Sequence, residues 1–338
     1  MCGVSAQTVS RVINRRPDVS PETRTAVEEA VARAGFQANQ VARSLVSRRS
    51  YTLGVVAAGL RFFGVSSTLN GIAEESEASG YALLLKELRA FQPPDMVRVI
   101  EGLSGHRVEG IIFDGSQLET SAEAIQACLP PNCPPIVFLK CEPSPFYTTI
   151  GIDNYGGERA LTEHLLSSGR RRIAYISGPI ERLEARQRHM AWLDALAAAG
   201  VAPGPFYEGN WFSLAGETGF AEILARQPDV DAVVAANDQM ALGVIHAASL
   251  HGLRVPDDVA VVGFDGLPES AQFTPSLTTA VQPLRDLGCT AVRELLTQVD
   301  GEPGSRGRNI TLPTNVVIRD SAPSARPEAL SAGSRAQA

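Results

Sequence analysis

The sequence predicts an α/β protein made of a small all-α head followed by two doubly wound, parallel-sheet lobes. Three observations carry this. After Tyr51, runs such as TLGVVAA, VEGIIFD, RIAYISG and VAVVGFD alternate with helical stretches, the pattern of parallel strands buried on both faces. The alternation restarts after TTIGIDN, so there are two such series and two lobes. Residues 1–50 instead hold short, capped helical stretches and eight arginines.

The head is taken first. In GVSAQTVSRVIN (3–14), Ser5 caps a helix whose apolar positions Val9, Val12 and Ile13 fall at i, i+3 and i+4. Gln7 and Arg11, four apart, share the opposite face with Ser10. Gln matches the donor and acceptor pair on an adenine edge, Arg matches guanine or phosphate, and hydroxyls match phosphate oxygens, so this face has major-groove chemistry. A polar turn, Arg15 to Val19, leads to SPETRTAVEEAVARAG, with Ser20 as cap, Pro21 in the first turn, Glu22 at the positive helix end and Gly35 as the stop. Val27, Ala30, Val31 and Ala34 form its expected packing stripe. In a helix-turn-helix unit another helix precedes the recognition helix, yet only Met1 and Cys2 precede Gly3, so the head (1–38) is expected to lack its first helix. Asn39 to Ser47 is a third short helical stretch, too short to be stable alone, and belongs to an expected hinge and linker, 39–50. Leu45 projecting from it could wedge between base steps in a minor groove.

The charge balance supports a nucleic-acid reader. The chain of 338 residues carries a net charge of −7, but residues 1–50 set eight Arg against Asp18, Glu22, Glu28 and Glu29, a balance of +4 that leaves −11 for the remainder. No apolar run reaches membrane-spanning length and MCGVSAQ has no secretory core, so a cytoplasmic protein with no membrane partner is expected. Cys2, Cys128, Cys133, Cys141 and Cys289 form no CxxC pair and are expected to be reduced, mostly buried thiols. Neither a GxxxxGK[ST] loop nor a strand-linked GxGxxG occurs, and His106, His164, His189, His246 and His251 lack metal-ligand spacing, so no enzyme, cofactor or metal is expected.

In the core, strands are expected at TLGVVAA, YALLLKE, VEGIIFD and PPIVFLK, with helices Ser67 to Gly80 and Asp95 to Gly105 between them. The second series is helix Gly157 to Gly169, strand RIAYISG, helices Glu184 to Gly200 and Gly216 to Arg226, strand AVVAAN, helix Asp238 to Gly252, strand VAVVGFD, then LTTAVQ. Ligands of open parallel sheets sit beyond the carboxyl ends of the strands, which places a site between the lobes. Lys140, Asp153, Asn237, Asp238, Asp265 and Gln282 fall at those ends, Arg186 and Arg188 follow ISGP, and Trp211 follows YEGN. Carboxylates, amides and guanidinium groups suit vicinal hydroxyls and an indole suits the apolar face of a sugar ring. Asp238 also stands where it would start the DQMALG helix.

These motifs together resemble the lactose-repressor/galactose-repressor family of bacterial transcription regulators over nearly the whole chain. The resemblance rests on GVSAQTVSRVIN, SPETR, NQVARSL, DNYGGERALTEHLLSSGRRRIAYISGP, AANDQMALGV, VPDDVAVVGFDGLP and PSLTTAVQP, in that order. It implies a homodimer with helix-turn-helix heads, hinge helices paired in the minor groove, and a core of periplasmic-binding-protein type. It implies operator DNA contacts at Ser5, Ala6, Gln7, Thr8, Ser10, Arg11, Asn14, Ser20 and Thr23, and hinge contacts at Asn39, Ala42 and Leu45. Ala6 brings no hydrogen-bonding group to its position. The resemblance implies effector contacts at Arg188, Trp211, Asn237, Asp265 and Gln282, with Phe62 and Phe63 near the wall. Lys140 stands where a member of the family has an acid, which hints at an anionic sugar derivative. The implied core is 51–320, with a first lobe of about 51–152 and 283–310 and a second of about 153–281 and 311–320. SAPSARPEALSAGSRAQA (321–338) is expected to be a disordered tail, without the leucine heptads of a tetramer-forming helix. The expected function is a DNA-binding regulator, a repressor, controlled by a small sugar or sugar acid. The alternative is a cytoplasmic sugar sensor that has lost DNA binding with its first helix.

Overall fold

A computed structural model of the chain describes residues 3–13, 18–34, 49–88, 93–115, 129–130, 132–301 and 307–324. The chain divides into two units, Met1–Tyr51 and Thr52–Ala338. In the first, Ser5 Oγ accepts a hydrogen bond from the Thr8 backbone N–H at 3.1 Å and so starts α1 (Ala6–Ile13). Ser20 does the same for α2 (Pro21–Arg33), accepting from the Thr23 N–H at 3.3 Å. The helices pack on each other, with Val12 and Val27 buried. Among the described residues the stripe on α2 is narrower than expected: Ala30 and Val31 are half-buried and Ala34 is exposed, because α1 covers only one flank of it. The expected hinge helix lies outside the described residues.

The described residues of the second unit form two sheets. Its elements run β1 (Thr52–Ala57), α3 (Phe63–Ala78), β2 (Ala82–Glu87), α4 (Pro93–Gly105), β3 (Gly110–Asp114), β4 (Ile136–Leu139) and β5 (Thr148–Ile152). After the crossing at Asp153 come α5 (Asn154–Ser167), β6 (Ile173–Ser177), α6 (Leu183–Ala198), β7 (Phe206–Glu208) and α7 (Ser213–Arg226). Then follow β8 (Ala232–Ala235), α8 (Asp238–Leu250), β9 (Ala260–Asp265), a 3-10 turn (Pro268–Gln272) and β10 (Thr278–Val281). The last described elements are α9 (Leu284–Val299), β11 (Asn309–Leu312) and β12 (Asn315–Val317). Strand order is β11-β5-β4-β3-β1-β2 in the first sheet and β12-β10-β9-β8-β6-β7 in the second. Among the described residues every pairing is parallel except β10 with β12. Apolar side chains cover both faces of each sheet, as the continuous Val/Ile runs dictate.

Several boundaries differ from the sequence expectation. α3 begins four residues early and α5 and α7 three; in α5 and α7 the first turns hold glycines that read as breaks but are required by close approach. A side chain at Gly157 would strike Thr314 Oγ1 and the Phe264 ring, and one at Gly216 would land on the Met240 carbonyl. α9 was not anticipated, although Leu284, Leu287, Ala291, Val292 and Leu295 are buried at helical spacing. It packs against α3 with Gly71 and Gly288 at the crossing, where neither position has room for a Cβ. β11 extends the first lobe to Leu312, two residues beyond the expected boundary, because Leu312 pairs with Ile152. The tail does not begin at Ser321. That residue is buried, its Oγ donating to the Val261 carbonyl at 2.6 Å and accepting from the Thr278 N–H at 2.8 Å, and Ala322 is buried beside it. Residues 325–338 lie outside the described residues. Cys289 is buried, but Cys133 and Cys141 are only half-buried because they sit in the loops flanking β4; Cys2 and Cys128 are not described. Burial and neighbouring carboxylates push the Cys141 thiol up to about 12, so it is not a reactive thiolate.

Candidate functional site

The chain crosses between the lobes at Asp153, at Gln282–Pro283 and at Pro313–Thr314. A cavity of about 920 Å³ opens between the lobes, walled by residues at the carboxyl ends of strands in both sheets. Phe62, Phe63, Lys140, Arg188, Trp211, Asn237, Asp265 and Gln282, all expected from the sequence, lie on its wall, as does Asp153. Asp238 and Arg186 do not.

Arg188, on the first turns of α6, is the centre of the floor. It is 3% exposed, its Nε donates to Asn154 Oδ1 at 3.0 Å and its Nη1 to the Ala236 carbonyl at 2.5 Å. Asp265 Oδ1 lies 3.7 Å from Nη1, and Gln282 Nε2 donates to that same oxygen at 2.5 Å. The guanidinium stacks over Phe264 at 3.7 Å and faces Trp211 at 5.8 Å. Asn237 caps α8 by accepting from the Met240 N–H at 2.9 Å, while its amide donates to the Trp211 carbonyl at 3.0 Å. One asparagine therefore starts a helix and fixes the indole loop.

Asp238 is not the cap expected for DQMALG. It is fully buried one residue into α8, where its carboxylate accepts from Ser270 Oγ at 2.6 Å, Thr279 Oγ1 at 2.5 Å and the Leu267 N–H at 2.8 Å. It ties the helix to β10 and the 3-10 turn rather than facing ligand. Lys140 is also reassigned. Its Nζ lies 3.0 Å from Asp114 Oδ2 and donates to the Gly64 carbonyl at 3.1 Å, so its charge is already answered.

Among the described residues, five that are not glycine have positive φ, and three of them are on this wall: Lys140 (53°), Trp211 (74°) and Asp265 (116°). Backbone held in a costly region at a cavity is a mark of a functional site. The buried acids behave accordingly. Burial pushes Asp265 up to about 7 despite the pull of Arg188, and Asp238 up to about 6. Glu184, which the sequence reading missed, lines the cavity, is raised by burial, and has one buried oxygen with no hydrogen-bond partner among the described residues. Asn154, Gln187, Phe212 and Arg61 are further wall residues that were missed. Among the described residues no cluster of His, Cys, Asp and Glu is placed to hold a metal.

Behind Arg188, Glu158 is fully buried with neither oxygen partnered among the described residues, and burial pushes it up to about 8. Its folded value lies above its ordinary 4.5, so folding takes up a proton between those values and stability falls as pH rises from about 4.5 to about 8. Glu158→Gln should remove that slope and raise stability by about 1–3 kcal/mol at pH 8. Urea denaturation at pH 5, 7 and 8.5 checks this; parallel curves for wild type and variant would refute it.

Where Gln7 and Arg11 fall on α1, Gln7 is exposed and Arg11 is half-exposed in an ion pair with Asp18 at 3.6 Å. The hydroxyls of Ser5 and Thr8 are 3.0 Å apart, and Ser20 Oγ donates to Thr23 Oγ1 at 3.0 Å, so these four serve helix starts as well as facing outward. Ala6 and Ser10 lie on α1; Asn14, Asn39, Ala42 and Leu45 are outside the described residues.

Comparison with known proteins agrees with this architecture. Residues 1–39 match the model for bacterial regulatory proteins of the lacI family, and residues 162–322 match a periplasmic binding protein-like domain. The lactose operon repressor of Escherichia coli (strain K12) is 32% identical over 317 residues, covering 94% of this chain and 87% of that protein. A solved lac repressor dimer bound to operator and the anti-inducer ONPF superposes with a TM-score of 0.84 at 31% identity, covering 96% of this chain and 97% of that one. The complex of the transcriptional regulator CelR with cellobiose superposes with a TM-score of 0.72 at 30% identity, covering 95% and 97%. These relatives are transcription regulators rather than enzymes. Among the described residues, no helix is long and apolar enough to cross a membrane. With a relative of this identity spanning nearly its whole length, two parallel-sheet lobes and a capped two-helix head, the chain belongs to the lacI family of bacterial regulatory proteins.

Proposed function

We propose that this protein is a cytoplasmic, homodimeric repressor that reads operator DNA through α1 and the 39–50 hinge, and releases or tightens its grip when a small sugar binds between the lobes. The observation that carries the effector half is the Arg188 cluster: a buried guanidinium, Asp265, Asn237 and Gln282 converge with the Trp211 indole on one cavity floor. A neutral sugar suits this floor better than a sugar acid, because Asp265 and Asp114 already answer Arg188 and Lys140. Exposed Gln7 and half-exposed Arg11 on a basic head support the DNA half. The three interlobe crossings are short, and Thr314 Oγ1 donates to the Asp153 carbonyl at 3.3 Å, so closure turns on a few backbone positions.

The experiment is a gel shift with fragments selected from the chromosome by the purified chain, repeated over a salt series. The expected result is retarded DNA whose affinity falls steeply with salt, because arginine–phosphate contacts release counterions. Sugar binding with no DNA retained at any salt would instead favour a sensor without an operator.

A further inference from the structure

The floor and the mouth of the cavity differ in chemistry. The floor is the Arg188 cluster. At the mouth, Phe62 from the first lobe and Phe212 from the second stand with ring centroids 5.6 Å apart, tilted by 36°. The Arg61 guanidinium lies over both rings, 4.9 Å and 5.4 Å from their centroids. Both phenylalanines occupy the position just before a helix, α3 and α7, and neither offers the side-chain cap that Asn237 and Asp153 supply to α8 and α5. A hydroxyl or amide there would stabilise each helix start. Phe212 remains 40% exposed, so its place is not explained by core packing either. Two helix starts thus carry rings that serve neither capping nor the core, one on each side of the cleft.

The cavity volume bears on what those rings meet. At about 920 Å³ it is near the top of the ~300–1,000 Å³ range that encloses drug-sized ligands, and a single hexose on the Arg188 floor leaves much of it unfilled. We infer a second sugar subsite formed by Phe62, Phe212 and Arg61, so that the effector is a disaccharide or longer rather than a monosaccharide. The C–H face of a second pyranose packs on the rings while the guanidinium donates to its hydroxyls. Because the rings come from opposite lobes, a second sugar ring also holds the lobes together, so ligand length is read as closure.

This inference rests on the sugar reading above, and one experiment separates the two. Binding of glucose, galactose, cellobiose, maltose and lactose to the full chain is measured by calorimetry, for wild type, Phe212→Ala and Phe212→Tyr. The expected result is that the best disaccharide binds on the order of tenfold more tightly than its own monosaccharides, that Phe212→Ala brings this ratio close to one, and that Phe212→Tyr keeps it. Equal affinity for mono- and disaccharides in wild type, or a ratio indifferent to Phe212→Ala, overturns the second subsite alone. No binding by any of the five sugars overturns the sugar reading itself.

Discussion

Arg188→Ala should abolish the response to sugar, weakening its binding by at least about 100-fold, while DNA binding in the absence of sugar persists. The side chain holds Asn154 and the Ala236 carbonyl, balances Asp265, and stacks on Phe264, so its removal dismantles the floor rather than deleting one contact. A hydrogen bond to a charged group contributes about 1.5–3 kcal/mol, and about 2.7 kcal/mol corresponds to 100-fold. The loss should also lower stability, by about 3–5 kcal/mol for breaking a buried pair, moderated because Asp265 already sits near 7 and takes up a proton when its cation is gone. Arg188→Lys should not rescue binding, since an ammonium lacks the planar fork that reaches Asn154 and Ala236 together. Calorimetry with the best-binding sugar, beside a gel shift without it, checks both parts. Ordinary sugar affinity in Arg188→Ala would mean that the ligand sits elsewhere.

The second large effect comes from a helix crossing. α7 and α8 meet with their backbones in contact: a Cβ at Gly243 would land on the Ser213 carbonyl oxygen, and one at Gly216 on that of Met240. Neither obstacle is a flexible side chain. Gly243→Ala must push the helices apart, and overpacking of this kind costs about 3 kcal/mol, a fall in melting temperature of roughly 6–12 °C. Gly102→Ala is the control. It sits on the exposed face of α4 with nothing within 4 Å of the added methyl, and should stabilise by about 0.5–1 kcal/mol. Because α7 follows Phe212 and α8 starts at Asn237, the crossing also sets the site, so Gly243→Ala should weaken sugar binding without touching it. Thermal denaturation followed by tryptophan fluorescence decides the matter; equal stability of the two variants would contradict the packing described.

What was legible in the sequence followed from local periodicity. The Val/Ile runs gave the strands, Ser5 and Ser20 announced helix starts that the structure places where expected, and the polar residues after strands, Asp238 and Arg186 excepted, fell on one cavity wall. What was hidden depended on strand order and burial. Lys140 looked like a free cation because its partner Asp114 ends β3, a neighbour of β4 only in space, where Asp114 pairs with Leu139. Asn237 and Asp238 are both capping residues by type, and only the burial of Asp238 beneath Ser270 and Thr279 separates their roles. Nothing local marks Glu158 and Glu184 as buried acids, since their burial depends on the tertiary packing around Arg188. Phe212 followed a tryptophan already chosen, and its meeting with Phe62 exists only through the approach of two lobes.

The central claim is that occupancy of the cleft changes the hold on DNA. It is tested most directly by fluorescence anisotropy on a selected operator duplex, titrated with the full chain at zero and at saturating concentrations of the best-binding sugar. Coupling between sites of this kind is typically about 5–150-fold, so the two operator affinities should differ by at least about fivefold. Arg188→Ala should erase that difference. Superimposable titrations, with saturation of the cleft confirmed by calorimetry under the same conditions, would contradict the claim.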